Sequence, residues 1–377
     1  MKVWAQYGTV PMTEDRGKRT LKTPTRILTW IMASALMFME GSDVIRKAIA
    51  AEADERSAVV FLYHRFGEDE YPTTSVKLEQ FDAHLNEIKS SGFNVERLDK
   101  IVAAIKKKEQ IPDRTIALTI DDAFLSVYQE AWPRLRKAGL PFTLFIVTDA
   151  VDQERPDYMS WDQIRELAEW GVIIGSQTSS RLHMPTADPE KIISDISNSM
   201  RRLKEELGFV PTLFAYPYGE YDNDTKAEVK TAGFEAAFGQ HSGVAYGGMG
   251  MFELPRFSMN QRFGDVARFR MAANALPLQV TDLTPVDAVV KNNPPPFGFS
   301  IAKNVSGIAA LACFYSHESE PANLIRLGPL RIEVRAHQAL PAGRVRVNCT
   351  APAGNKRWRW FGTQFIVPPE IAAGHNY

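Results

Sequence analysis

Residues 115–124 read TIALTIDDAF, an aliphatic and β-branched run that stops on two adjacent aspartates. The run has the length of a strand and its core is continuously apolar, which marks a strand covered on both faces, as in a parallel sheet. Two carboxylates side by side at its end, Asp121 and Asp122, repel each other unless a cation or a proton compensates them. Either aspartate alone has an ordinary use as the cap of a following helix. The pair together points to a bound metal ion.

The same unit recurs on both sides of this strand. SAVVFLYH (57–64) is a strand, and KLEQFDAHLNEIKSSG (77–92) places Leu78, Phe81, Leu85 and Ile88 on one helical face before stopping at Gly92. After the aspartates, AFLSVYQEAWPRLRKAG (123–139) reads as a helix kinked or broken at Pro133, and FTLFIV (142–147) as a strand. SWDQIRELAEWG (160–171) opens on a Ser160 cap, and VIIGS (172–176) is the next strand. A polar helix from about Asp188 to Leu207 leads to TLFAYP (212–217), and a helix over about Asp222–Ala232 leads to FEAAFGQ (234–240). Alternating strands and helices of this kind predict an α/β fold with a mainly parallel sheet, doubly wound or closed as a barrel.

After about Ala275 the helical pattern ends. NNPPPFGF (292–299) is a Pro-rich joint, and LACFYS (311–316), LRIEVRA (330–336) and RVRVNCT (344–350) alternate with period two. This predicts a small antiparallel β domain, a sandwich, ending in RWRWFGTQFIVP (357–368). The aromatic cluster Trp358 to Phe361 suits either sugar stacking or the core of that domain.

The N-terminus has a different character. Lys2, Arg16, Lys18, Arg19, Lys22 and Arg26 precede ILTWIMASALMFM (27–39), which carries no charge. A charged region followed by a short apolar run reads as a signal peptide, with AIAAEA (48–53) as cleavage region, or as an uncleaved membrane anchor. Either places the protein outside the cytoplasm, periplasmic or membrane-anchored, where Cys313 and Cys349 could pair. The expected organisation is a leader or anchor over 1–55, an α/β domain over 56–275 and a β-rich domain over 276–377. A net charge of -1 argues against nucleic acid as a partner.

Chemistry in parallel β/α folds sits at the carboxyl ends of the strands. Those ends carry Tyr63-His64, Asp121-Asp122, Gln177-Thr178, Tyr216-Pro217-Tyr218-Gly219 and Gln240-His241. With these in view, LTIDDAF (118–124), GSQTSSRLHMP (175–185) and FAYPYGEYD (214–222) resemble, in order and spacing, the motifs of the NodB-type polysaccharide deacetylases, carbohydrate esterase family 4. The resemblance covers roughly Val59 to Arg256. It implies a distorted, incomplete (β/α) barrel and removal of acetyl groups from N-acetylglucosamine polymers or chito-oligosaccharides.

By the same resemblance Asp121 is the general base and Asp122 a ligand of a divalent metal, zinc or a relative, which polarises the acetamide carbonyl. The backbone N–H at Pro217-Tyr218 faces the developing oxyanion. His64 protonates the leaving amine, with His241 as the alternative acid. Tyr63, Thr178, Tyr216, Pro217, Tyr218 and Gly219 would line the sugar site. The family draws two further metal ligands from an H-[ST]-x-x-H frame, which falls here on Gln177-Thr178-Ser179-Ser180-Arg181. A neutral amide is a weak ligand, and a guanidinium has no lone pair to give. Either His183 rescues the site from a remodelled loop, or Arg181 replaces the metal as a cation between Asp121 and Asp122. The resemblance therefore leaves two functions open, a deacetylase or an inactive, metal-free carbohydrate-binding relative.

Overall fold

A computed structural model describes residues 56–303 and 305–373; the expected leader and the apolar run 27–39 lie outside the described residues. Six parallel strands follow one another in space as they do in sequence: β1 (Ser57–Tyr63), β2 (Thr115–Asp121), β3 (Thr143–Ile146), β4 (Ile173–Ser176), β5 (Leu213–Ala215) and β6 (Ala236–Phe238). All of their residues except Ile173 are buried, which explains the unbroken apolar runs in the sequence. The helices between strands lie outside them, so the sheet curls as an incomplete (β/α) barrel.

The remaining gap, between β6 and β1, is spanned by an irregular stave. Leu254 bridges Phe238 in parallel, and Phe257–Ser258 pairs in parallel with Phe61 and Leu62 of β1. Backbone bonds run along the stave from Gly239 N–H to Leu254 C=O at 2.9 Å and from Met259 N–H to Leu62 C=O at 2.8 Å. No helix precedes this stave and its pairing is two residues long, which is why periodicity gave no sign of it.

The helices match the expected positions. Leu78–Ser91 ends at Gly92 in the left-handed conformation, φ 68°. The Ser160 hydroxyl accepts from Gln163 N–H at the start of Trp161–Glu169. The Pro133 region is a π-helical turn over Val127–Ala131 running into a helix over Trp132–Ala138, so the proline sits in a first turn, where its missing N–H costs nothing.

Beyond the barrel lies a β-sandwich. One antiparallel sheet contains β8 (Val280–Thr284), β9 (Phe297–Ile301), β12 (Arg331–Arg335) and β11 (Asn323–Arg326); the other contains β7 (Leu276–Pro277), β14 (Trp358–Val367), β13 (Gly343–Pro352) and β10 (Ala312–Tyr315), with β7 joined in parallel. Phe297, Phe299, Val345, Val347 and Phe365 fill the space between them. The 357–361 cluster is mostly structural: the Trp360 ring meets Phe257 edge-on at 5.0 Å, Phe361 meets Phe299 at 5.4 Å, and Arg359 donates to Pro277 C=O, leaving Trp358 exposed.

Cys313 and Cys349 are directly opposed on β10 and β13 and form a disulfide. A crosslink closing a 36-residue separation stabilises by about 3–4 kcal/mol through the unfolded chain. Reduction, or Cys313→Ser/Cys349→Ser, is therefore expected to lower the denaturation midpoint of the sandwich by several degrees, measured by calorimetry with and without reductant. An unchanged midpoint would count against the bond.

Candidate active site

The two aspartates at the end of β2 have separate fates. Asp121 lies flat against Arg256 from the closing stave, with Nη1 to Oδ1 at 2.7 Å and Nη2 to Oδ2 at 2.8 Å, both side chains fully buried. Arg256 also donates from Nε to Gly239 C=O at 2.9 Å and from Nη1 to the Thr119 hydroxyl at 3.2 Å. This guanidinium thus satisfies the carboxylate in the bidentate geometry that makes a buried ion pair tolerable. Nothing in the sequence marked Arg256, because an arginine between proline and phenylalanine carries no motif.

Asp122 turns the other way, in the left-handed region at φ 78°. Its Oδ2 lies 2.7 Å from Arg181 Nη2, yet neither carboxylate oxygen receives an aligned hydrogen bond. The expectation that Arg181 bridges both aspartates is corrected: it neutralises Asp122 alone, since Arg256 already occupies Asp121. Burial raises the Asp122 carboxyl to about 6; Arg181 opposes that shift and Asp121 adds to it.

Arg181 is presented by the loop after β4. The Thr178 hydroxyl accepts from Arg181 N–H at 3.2 Å, while Asp195 on the helix Pro189–Leu207 takes the Ser179 hydroxyl at 2.6 Å and Ser180 N–H at 3.1 Å. Thr178 is buried, so it shapes this loop and does not face a ligand. Gln177 is also fully buried, with both amide atoms lacking a partner, an arrangement that costs free energy unless something polar fills the site. Asp122, Ala123, Thr178, Arg181 and Tyr218 all hold positive φ, which concentrates backbone strain around one spot.

The other candidates divide. The pairing of Tyr63 with Ile120 brings His64 beside Asp121 on the rim. His64 is nearly buried, makes a loose 3.5 Å contact with Gln240 Nε2, and is lowered to about 4, chiefly by burial. His241 is instead one wall of a cavity of about 250 Å³ beneath the sandwich, beside Tyr221 and Gln364. Its Nδ1 has no partner, and burial lowers it to about 3.

Several expectations fail. His183 faces out, 57% exposed, where it meets Glu220 Oε2 at 2.7 Å and stacks on Tyr218 at 3.9 Å, so it does not approach Asp122 as a ligand. Tyr63 is a core residue whose hydroxyl meets His84 Nδ1 at 3.0 Å, and Tyr216 is equally buried, donating to Phe252 C=O. Neither offers a face to sugar. Pro217 and Gly219 are buried, and Gly219 C=O accepts from Gln364 Nε2 of the sandwich at 2.5 Å. Tyr218 remains at the rim, its ring 4.9 Å from the Arg181 guanidinium, beside a hollow of about 300 Å³ that Asp149, Arg155 and Tyr158 also line.

Residues 108–237 match the family model described as polysaccharide deacetylase, and the curled parallel barrel is similar in fold to solved deacetylases. Over these residues the chain is similar to the polysaccharide deacetylases. The chain is 22% identical over 197 residues to a putative polysaccharide deacetylase, YxkH, of Bacillus subtilis, covering 52% of this chain and 69% of that one. It is 27% identical over 190 residues to poly-beta-1,6-N-acetyl-D-glucosamine N-deacetylase of Staphylococcus aureus, covering 47% and 65%. Among solved structures, IcaB from Ammonifex degensii superposes with a TM-score of 0.53 at 24% identity, over 58% of this chain and 97% of that one. Streptococcus pyogenes deacetylase PplD in complex with acetate gives 0.54 at 19%, over 58% and 98%.

Deacetylases of this family are metal-dependent, and the residues around Asp122 do not fit a zinc ion. They supply one carboxylate and one neutral amide, no imidazole, and a guanidinium whose positive charge repels a cation. Among the described residues no group of three or more His, Cys, Asp or Glu could hold a metal.

The buried titrating groups give this domain a distinctive pH response. His64, His84 and His241 have ordinary values of 6.5 and fall to about 4, 4 and 3 in the fold. The unfolded chain therefore binds more protons below pH 6.5, and stability rises as pH climbs from about 4 to 6.5. Asp122 acts in the opposite sense, because it is raised from 3.8 to about 6 and the folded state keeps its proton longer. Asp122→Asn should accordingly steepen the rise of stability across that window, measured as urea midpoints at a series of pH values; a shallower rise would contradict the assignment.

Proposed function

We propose that this protein binds N-acetylglucosamine-containing polysaccharide in a deacetylase cleft that has exchanged its metal ion for an arginine. One observation carries the reading, the 2.7 Å contact of Arg181 with the buried Asp122. Gln177 and Arg181 then stand where the family keeps imidazoles, and the guanidinium supplies the charge that a metal would otherwise bring to Asp122. The Arg181–Tyr218 rim is suited to the amide and hydroxyl groups of an N-acetylated sugar. The polymer identity follows the Staphylococcus aureus relative, whose name specifies a poly-N-acetylglucosamine. Export to the periplasm, or anchoring through residues 27–39, goes with this reading and is supported by the disulfide.

A second reading, hydrolysis of the acetamide bond, draws on His64 and Asp121 standing at adjacent strand ends. In it Asp121 takes a proton from water, the backbone at Tyr218 meets the oxyanion and His64 protonates the amine. The geometry favours it less. His64, lowered to about 4, is neutral near pH 7 and has no extra proton to donate, and both oxygens of Asp121 are held by Arg256.

The two readings separate in one experiment. The protein is expected to carry no stoichiometric zinc and to release no amine above background from N-acetylated chito-oligosaccharide with zinc, cobalt or manganese present, while still binding it in calorimetry. Gln177→His/Arg181→His should acquire about one zinc per chain, measured by metal analysis. Zinc in the parent protein, or amine release abolished by Asp121→Asn, would decide for hydrolysis.

A further inference from the structure

The sandwich does more than follow the barrel, because one of its faces forms a wall of the rim. Cross-strand pairs point to the same side of a sheet, and Arg346 on β13 is paired with Gln364 on β14. Gln364 reaches Gly219 C=O at 2.5 Å, and Arg344, two residues from Arg346 and so on the same face, donates from Nη1 to Gln240 Oε1 at 3.4 Å. Gln240 in turn touches His64 at 3.5 Å, which puts Arg344 one side chain away from the centre of the rim. The approach is close: a Cβ on Gly362 would lie 1.9 Å from Ser242 C=O, so β14 fits against the barrel loop only with glycine there.

Arg344 and Arg346 are half-buried and have no carboxylate within ion-pair distance among the described residues. The nearest acid in charge terms is Glu220, whose Oε2 is already engaged with His183. Arg346 Nε is buried with no hydrogen-bond acceptor. Burial first, and the mutual repulsion of the two guanidinium groups second, lower Arg344 to about 9. Other charges of the rim are already neutralised in pairs, Arg256 by Asp121 and Arg181 by Asp122. Two adjacent, half-buried cations without a counter-ion repel each other, and an anion between them would relieve that repulsion.

We propose that Arg344 and Arg346 form an anion-binding subsite beside the cleft, taking the carboxylate or phosphate substituent of an acidic glycan. This deepens the polysaccharide reading above and rests on it for the glycan; the anion site rests on the two arginines themselves. Paired guanidinium groups match the two-oxygen edge of either anion, and a neutral sugar offers them no charge-assisted partner. The sandwich thereby becomes a specificity element of the barrel.

The test compares the full chain with Arg344→Gln/Arg346→Gln by calorimetry, using neutral N-acetyl-chitotetraose, a tetrasaccharide alternating N-acetylglucosamine with glucuronate, and N-acetylglucosamine 6-phosphate. The parent should bind at least one acidic sugar about ten-fold or more tightly than the neutral one, with the advantage fading in 0.5 M salt. Whichever acidic probe is preferred identifies carboxylate or phosphate. In the double variant that preference should vanish with neutral binding unchanged. Equal binding of neutral and acidic sugars by the parent, or a preference that survives the double substitution, would overturn the subsite and leave the glycan reading standing. Failure of every sugar would instead refute the glycan reading; thermal shifts with glucuronate and inorganic phosphate then judge the subsite, supported if the double variant loses them and refuted if the parent shows none. The double variant should melt no lower than the parent, because the substitution relieves repulsion. Arg344→Lys/Arg346→Lys, which keeps the charge, should retain part of the preference.

Discussion

The buried ion pair between Arg256 and Asp121 is the interaction on which the rest of the barrel's working end depends. It joins the end of β2 to the irregular stave that spans the gap between β6 and β1, and its third bond holds Gly239 at the end of β6. Removing either partner would leave a buried charge without compensation, at a cost of about 3–5 kcal/mol. The barrel is therefore closed by chemistry at the rim as well as by hydrogen bonding along strands. The same pair also determines what is left for Asp122, since with Asp121 satisfied the second carboxylate must find its own cation.

That cation is Arg181, and its arrival requires the whole loop after β4. Asp195 anchors the loop to a helix, Thr178 and Arg181 adopt left-handed backbone, and Tyr218 takes up the same strained conformation opposite. Such strain persists only where surrounding contacts hold it. Each aspartate ends up with its own guanidinium, and the orphaned amide of Gln177 lies buried after the same strand. The charges of both aspartates are thus balanced by arginines from distant parts of the chain.

The β-sandwich completes the picture from the other side. Gln364 on Gly219, Arg344 on Gln240 and through it His64, and Gly362 against Ser242 place β13 and β14 directly over the barrel's rim loops. His241, at a strand end where chemistry was expected, is taken up by the cavity under this sheet and belongs to the contact between the two parts.

Much of this was legible in the sequence because it is written in local pattern. Strand order, helix positions, the change to period-two alternation near residue 275, and the gathering of polar residues at strand ends all follow from burial, which acts on every residue of an element in turn. Tyr63 and Tyr216 were misread for a related reason: the end of a strand and the end of its burial differ by a residue or two, and both rings fall on the core side. Sequence by itself determined the parallel α/β sheet, the paired aspartates and the departures at Gln177 and Arg181. Only the tertiary structure decided which arginine meets which aspartate, that His183 turns outward, and that Arg344 and Arg346 reach the rim from more than 200 residues beyond Asp121. Ion pairs and interdomain contacts join residues far apart in the chain, and no periodicity records them.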